Sequence, residues 1–178
     1  RWSMFQRDAR HTGVYEHVVQ GTYPQDTAIS WWGDYLLTGD TVADTLSTFL
    51  IQPGTRVCAV ADTDALGAGT DPDRTELIVE GTATFTAEGT AAAPISFSSA
   101  AAAPADDDWY GVRLRPLSVA PLTYKKESDA FIGIAADRTD TVSIRDCRIE
   151  NCDLYGIKVN GRHDAGQSMV DIRHNEII

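Results

Sequence analysis

Short runs of one kind recur along this chain at nearly constant spacing, and that recurrence limits what it can fold into. Leu50-Ile-Gln-Pro-Gly-Thr55 returns 27 residues later as Leu77-Ile-Val-Glu-Gly-Thr82. Trp109-Tyr-Gly-Val-Arg-Leu114 returns as Phe131-Ile-Gly-Ile-Ala-Ala136 and again as Leu154-Tyr-Gly-Ile-Lys-Val159, so Gly111, Gly133 and Gly156 stand 22 and 23 residues apart. A third series is Pro94-Ile-Ser-Phe-Ser98, Pro121-Leu-Thr-Tyr-Lys125, Thr141-Val-Ser-Ile-Arg145 and Met169-Val-Asp-Ile-Arg173. Its centres are Phe97, Tyr124, Ile144 and Ile172, at steps of 27, 20 and 28. Interleaved series sharing one approximate period are what a solenoid produces, one coil per period.

The repeated runs read as strands. Leu77–Val79, Thr82–Thr86, Ile95–Ser98 and Tyr110–Leu114 are short, partly alternating, and punctuated by Gly81, Gly89 and Pro94. Tyr35–Leu37, Thr48–Ile51 and Arg56–Val60 precede them, with Gln52-Pro-Gly54 as a tight turn. No run has the length and period of a helix with its own buried face. The expectation is an all-β chain wound around one apolar axis, with Val79, Ile95, Val112, Ile134, Ile144, Ile157 and Ile172 inside and the four centres of the third series stacked. Residues 1–34 lie outside the repeat. They read as a lead-in or cap, with Trp2, Met4 and Phe5 as an apolar plug over the exposed end of the core. An asparagine in the Ile172-Arg-His-Asn175 corner, matching Cys147 one period earlier, is placed to hold a tight bend by hydrogen bonds along the stack.

Charge narrows the partners. The net charge is −11, and 19 of the 26 acidic residues are aspartate. Such a surface repels nucleic-acid phosphates, so no nucleic-acid partner is expected. No apolar run approaches the ~20 residues of a membrane helix, and no membrane insertion is expected. The chain opens on Arg1 without a Met, which fits a processed protein or a piece of a longer one, and it stops within a strand at Ile177-Ile178. The edge left there is either the point where more chain continues or a docking surface.

Two stretches suggest metal chemistry. Asp62, Asp64, Asp71, Asp73 and Glu76 lie in a loop with Gly67 and Gly69, and flexible carboxylates can wrap a hard cation. Asp62, Asp64, Gly67 and Asp73 meet positions 1, 3, 6 and 12 of a calcium loop, whereas Leu66 occupies a ligand position. These five acidic residues are the candidate Ca2+ ligands. Cys147 and Cys152, with His163 and His174, lack any zinc or haem spacing, and cysteine is most often a small buried hydrophobe.

Two resemblances follow from these residues. Trp2, Phe5, Asp8 and His11-Thr-Gly13 resemble the WxxFxxDxxHTG opening of quinoprotein-type propeller repeats, over that one segment. Leu50–Val57, Leu77–Ser99 and Asp108–Val112 resemble the entry coils of right-handed parallel β-helix proteins of the pectin-lyase-like superfamily, in particular secreted bacterial domains. That second resemblance covers about residues 35–178. It implies a right-handed parallel β-helix of about five to six coils behind the N-terminal capping segment, and an extracellular or cell-surface location. No catalytic motif of that superfamily stands intact, and Arg113-Leu-Arg115-Pro116 only partly matches an RxPxxR pattern.

The functional expectation is a non-catalytic structural, assembly or adhesion module that stacks on itself head to tail through its coil ends. The alternative is a polysaccharide-active lyase or glycosidase using Asp137, Asp140, Arg145, Asp146, Arg148 and Asp171. A carbohydrate-binding surface on Tyr110, Tyr124 and Tyr155 is the third reading.

Overall fold

The computed structural model describes residues 15–123, 125–139, 141–161 and 169–178, residues 125–127 by their backbone only. Every regular element among them is a strand. The chain runs through β1 (His17–Tyr23), β2 (Ala28–Trp31), β3 (Asp34–Ala43), β4 (Thr48–Ile51) and β5 (Arg56–Ala59). It continues through β6 (Glu76–Val79), β7 (Thr84–Glu88), β8 (Ile95–Ser99), β9 (Gly111–Leu114) and β10 (Val119–Thr123). It ends with β11 (Lys125–Asp137), β12 (Thr141–Arg145), β13 (Arg148–Asn160), β14 (Met169–Arg173) and β15 (Glu176–Ile177).

These strands form two sheets, and every pairing is parallel. The six-stranded sheet runs β2-β4-β7-β10-β12-β14. The nine-stranded sheet holds the remaining strands, with β1 joined to β3. Parallel neighbours cannot be joined by a hairpin and need a long crossover. Here the crossover from one strand to its neighbour is a passage through the opposite sheet. Strand β3, for example, carries the chain from β2 to β4.

Register places like upon like. In the six-stranded sheet, Trp31, Ile51, Ala87, Leu122, Ile144 and Ile172 form one continuous column. In the nine-stranded sheet, Leu77, Val112, Ile134 and Ile157 form another, and Ala43, Val79, Leu114, Ala136 and Val159 a third. The inward sides of both sheets share one core in which Phe49, Phe85, Phe97, Leu77 and Ile144 have no exposed surface. Val79, Ile95, Val112, Ile134 and Ile144 are fully enclosed, as their alternation requires, and Ile157 packs at the core margin.

The solenoid expectation does not hold. A β-helix of five to six coils, each with about three short strands, requires separate faces divided by corners. Instead β3, β11 and β13 run for 10, 13 and 13 residues without a break, so the larger sheet is one curled surface closed by the smaller. The result is a two-sheet parallel arrangement, a curled half-barrel. The physical reason is where the bends fall. Asp129 and Asn151 adopt positive φ inside β11 and β13, and the β11–β13 ladder shifts register just beyond, between Ala130 and Ile132, so the strands turn without separating. Strands β1 and β2 also fall within residues 17–31 and pair with β3 and β4, where a cap was expected. Trp2, Met4, Phe5 and the propeller-like segment lie outside the described residues.

The stack of four centres divides in the same way. Ile144 and Ile172 are register partners, but Phe97 belongs to the other sheet, opposite Val57. The residue above Ile144 is Leu122, and Tyr124 lies outside the described residues. The glycine series has a different origin from a corner. A Cβ at Gly111 would overlap the Ile132 carbonyl oxygen, and one at Gly133 would lie 2.6 Å from Gly156 O. At Gly111 and Gly133 the neighbouring backbone approaches too closely for a side chain, and at Gly156 a Cβ would stand 2.8 Å from the Ile177 side chain. The Asn175 corner forms as expected: its Oδ1 accepts the Cys147 N–H at 2.9 Å, and its Nδ2 donates to Ile144 O at 2.8 Å.

The column sets a gradient of mutational cost. Ile144→Ala, in the enclosed middle, is expected to lower the unfolding free energy by about 2–5 kcal/mol. Ile172→Ala, next in the same column but 43 % exposed, costs less than about 1 kcal/mol. Urea unfolding of both variants checks this, and equal losses would contradict the column.

Candidate functional site

Alternation along the nine-stranded sheet turns Val42, Ile78, Arg113, Ala135 and Lys158 outward. A parallel sheet ordinarily has both faces covered, and no helix is present among the described residues to cover this one. Here Val42, Ile78, Arg113 and Ala135 are buried. The connection 60–75 is tied to this face by carboxylates. Asp40 and Glu76, both without exposed surface, stand at its foot on β3 and β6.

Asp40 accepts the N–H of Glu76 at 2.7 Å through Oδ1 and that of Gly69 through Oδ2. Glu76 Oε1 accepts from Thr70 and Asp71 at 2.6 and 2.9 Å. Asp64 reaches back from the connection: its Oδ1 accepts the strand N–H of Asp40 at 2.9 Å and that of Leu66 at 3.0 Å. Arg113 closes the group. Its guanidinium donates to Thr70 Oγ1, lies 3.5 Å from Glu76 Oε2, and pairs with Asp137 at 3.0 Å. Gly39 permits the approach, since a Cβ there would stand 3.1 Å from Ala65 N.

Burial makes these carboxylates poor anions. Desolvation pushes Asp40 up to about 7; amide donation from Glu76 opposes the rise, and the neighbouring charges of Asp64 and Glu76 add to it. Burial also raises Glu76, against the amides of Asp71 and Thr70 and the charges of Arg113 and Arg115. Asp64 moves the other way. Desolvation alone would raise it, but the N–H groups of Leu66, Asp40 and Gly67 and the Asp40 carboxyl hold it below the ordinary range. The two shifts differ in sign because Asp40 is fully enclosed, whereas Asp64 is partly exposed and accepts three backbone N–H groups.

The expected calcium ligands therefore take separate places. Asp64 and Glu76 meet in the group around Asp40. Asp71 instead accepts from Asp73 N–H at 2.9 Å and pairs with Arg74 at 2.7 Å. Asp73 is exposed, and Asp62 is tied by its backbone N–H to Asp108 O at 3.0 Å. Among the described residues, no three His, Cys, Asp or Glu side chains are arranged to hold a metal ion. Asp40 and Arg113 were missed by sequence reasoning. Each sits alone in a strand, and only the register of β3, β6 and β9 brings them beside Glu76.

The residues of the catalytic alternative are dispersed in ion pairs. Arg145 and Arg173 both hold Asp171, Arg148 pairs with Glu150 and Glu176, and Asp146 lies 3.6 Å from His174. Asp137 belongs to Arg113, and Asp140 lies outside the described residues. Tyr110 is buried with Arg113 over its ring, whereas Tyr155 is half exposed beside Lys158. Cys147 is core, Cys152 packs against it, and His163 lies outside the described residues.

A second feature stands at the far end of both sheets. Among the described residues, β14 pairs only with β12, and β15 only with β13. Their side chains continue the interior columns into solvent. Val170, Ile172 and Ile177 are 45, 43 and 57 % exposed, whereas their register partners Val142, Ile144 and Ile149 are fully enclosed. An unpaired parallel edge with apolar columns is a template for another strand.

The proton on Asp40 has a measurable consequence. In the unfolded chain Asp40 releases it near the ordinary value of about 4. In the fold it keeps the proton up to about 7. The native state binds more protons across that window, so this contribution to stability is full below it and lost as pH rises through it. Wild type is expected to lose stability between these values, and Asp40→Asn to show a flatter profile. Urea unfolding at a series of pH values checks this, and identical slopes would contradict the assignment.

Comparison with known proteins finds no family model that matches the chain, no similar curated protein and no similar solved structure.

Proposed function

We propose that this chain is a non-catalytic structural module that assembles head to tail, in an extracellular or cell-surface setting. The carrying observation is that, among the described residues, β14 and β15 each have a single partner strand and the core columns emerge half exposed there. The occupant we assign is the opposite edge of a second copy, β1 and β2. Among the described residues β2 is the first strand of the sheet that β14 ends, so a copy added there would extend that sheet in the same parallel sense, with Trp31 already enclosed by Tyr23, Tyr35 and Phe49. Contact between unlike ends of identical chains makes a ring where the rotation closes and a filament where it does not, and stacking along the sheet direction is of the second kind. Among the described residues, Asp137, Arg145, Arg148 and Asp171 are engaged in ion pairs, which favours the structural reading over polysaccharide cleavage.

Sedimentation velocity over a concentration series, with electron microscopy of the heavier fractions, tests the reading. Wild type is expected to form end-to-end oligomers. Val170→Lys with Ile172→Lys is expected to stay monomeric with an unchanged strand circular-dichroism spectrum, since both positions are already half exposed. A strictly monomeric wild type, or equal association by the variant, would overturn it.

A further inference from the structure

We propose that residues 61–74 form a strap that lifts off the outward face of the nine-stranded sheet as one unit, with Asp40 as its hub, while both sheets stay folded. Four observations carry this. The strap is fastened by polar bonds rather than by apolar packing: Gly69 donates to Asp40, Thr70 and Asp71 donate to Glu76, and Asp64 accepts from Asp40. Its own apolar side chain, Leu66, points into solvent with 46 % of its surface exposed. A segment so fastened adds little to the shared core, and it can open at a small fraction of the global unfolding free energy.

The strap also has a defined base. Asp62 donates its N–H to Asp108 O at 3.0 Å, and Thr75 Oγ1 donates to Thr63 O at 2.8 Å, so the two ends are held close together. Arg74 adds an anchor on the far side through Asp107, with its Nε 2.8 Å from Asp107 O. Asp62 and Gly67 both adopt positive φ, which makes the first half of the strap a sequence of sharp turns able to move about that base.

The closed state leaves polar atoms short of partners. Glu76 Oε2 and Arg113 Nε are buried with no hydrogen bond. Water reaching them as the strap lifts offsets part of what opening loses. Finally, the strap lies close on the strand beneath it at one small residue: a Cβ at Gly39 would stand 3.1 Å from Ala65 N, so the contact there is backbone against backbone. Opening releases this contact without disturbing the columns inside.

Native-state hydrogen exchange followed by mass spectrometry, on the full chain at one pH, tests the proposal. Amides of residues 64–71 are expected to exchange through a local opening, about 100-fold or more faster than those of β4, β7 and β12, and with little response to low denaturant. Asp40→Ala is expected to speed residues 64–71 by about ten-fold or more while β4, β7 and β12 are unchanged. Asp64→Ala, at a partly exposed position, provides the same readout if Asp40→Ala does not fold. Exchange of residues 64–71 at the rate of the strands, or acceleration of all segments together in either variant, would overturn the strap.

Discussion

In-register packing of apolar side chains between parallel strands is the interaction on which the rest of this structure depends. Each passage of the chain lays one more residue on the columns through Ile144 and through Val112, and the residues inside the stack lose nearly all contact with water. Burying one Ile or Val is worth about 1.5–3 kcal/mol. A slip of one residue in any strand would turn its whole apolar set outward. The register is therefore fixed from within, and the outward positions follow from it. Asp40, Glu76 and Arg113 meet because Thr41, Leu77 and Val112 are stacked.

The same constraint explains the two unusual surfaces. Where the stack ends at β14 and β15, the columns continue into solvent, and that exposure is the basis of the proposed assembly. Where the connection 60–75 crosses the outside of the curled sheet, apolar outward residues and buried carboxylates coexist. Carboxylates in such a place require donors on nearly every oxygen, and backbone N–H groups of the strap supply them. The acidic loop that invites a calcium reading thus spends Asp64 and Glu76 on its own backbone and on the strands beneath.

Much of this was legible in the sequence, for identifiable reasons. Strand identity and inward alternation at Val79, Ile134 and Ile144 could be read because period-2 apolar patterns have one physical meaning in short runs. The Asn175 corner was legible because asparagine offers both a donor and an acceptor to the backbone. The division into sheets was not. Short strands with a common period look alike whichever sheet they join, and nothing in the Phe97 run marks it as a partner of Val57 rather than of Leu122. The absence of corners within β11 and β13 was also hidden, because Asp129 and Asn151 bend the strands without a glycine or proline to announce it. The carboxylate group around Asp40 depends on partners 24 and 36 residues away, and no local pattern carries that distance.

The central claim, that Leu122, Ile144 and Ile172 stand in one column while Phe97 lies in the other sheet, is tested most directly by methyl nuclear Overhauser spectroscopy on an Ile/Leu/Val-labelled sample. The account predicts cross-peaks from the Ile144 methyls to Leu122 and to Ile172, and a separate set linking Leu77, Val112 and Ile134. Absence of the Leu122–Ile144–Ile172 relay, with Ile144 instead contacting residues from unrelated registers, would contradict it.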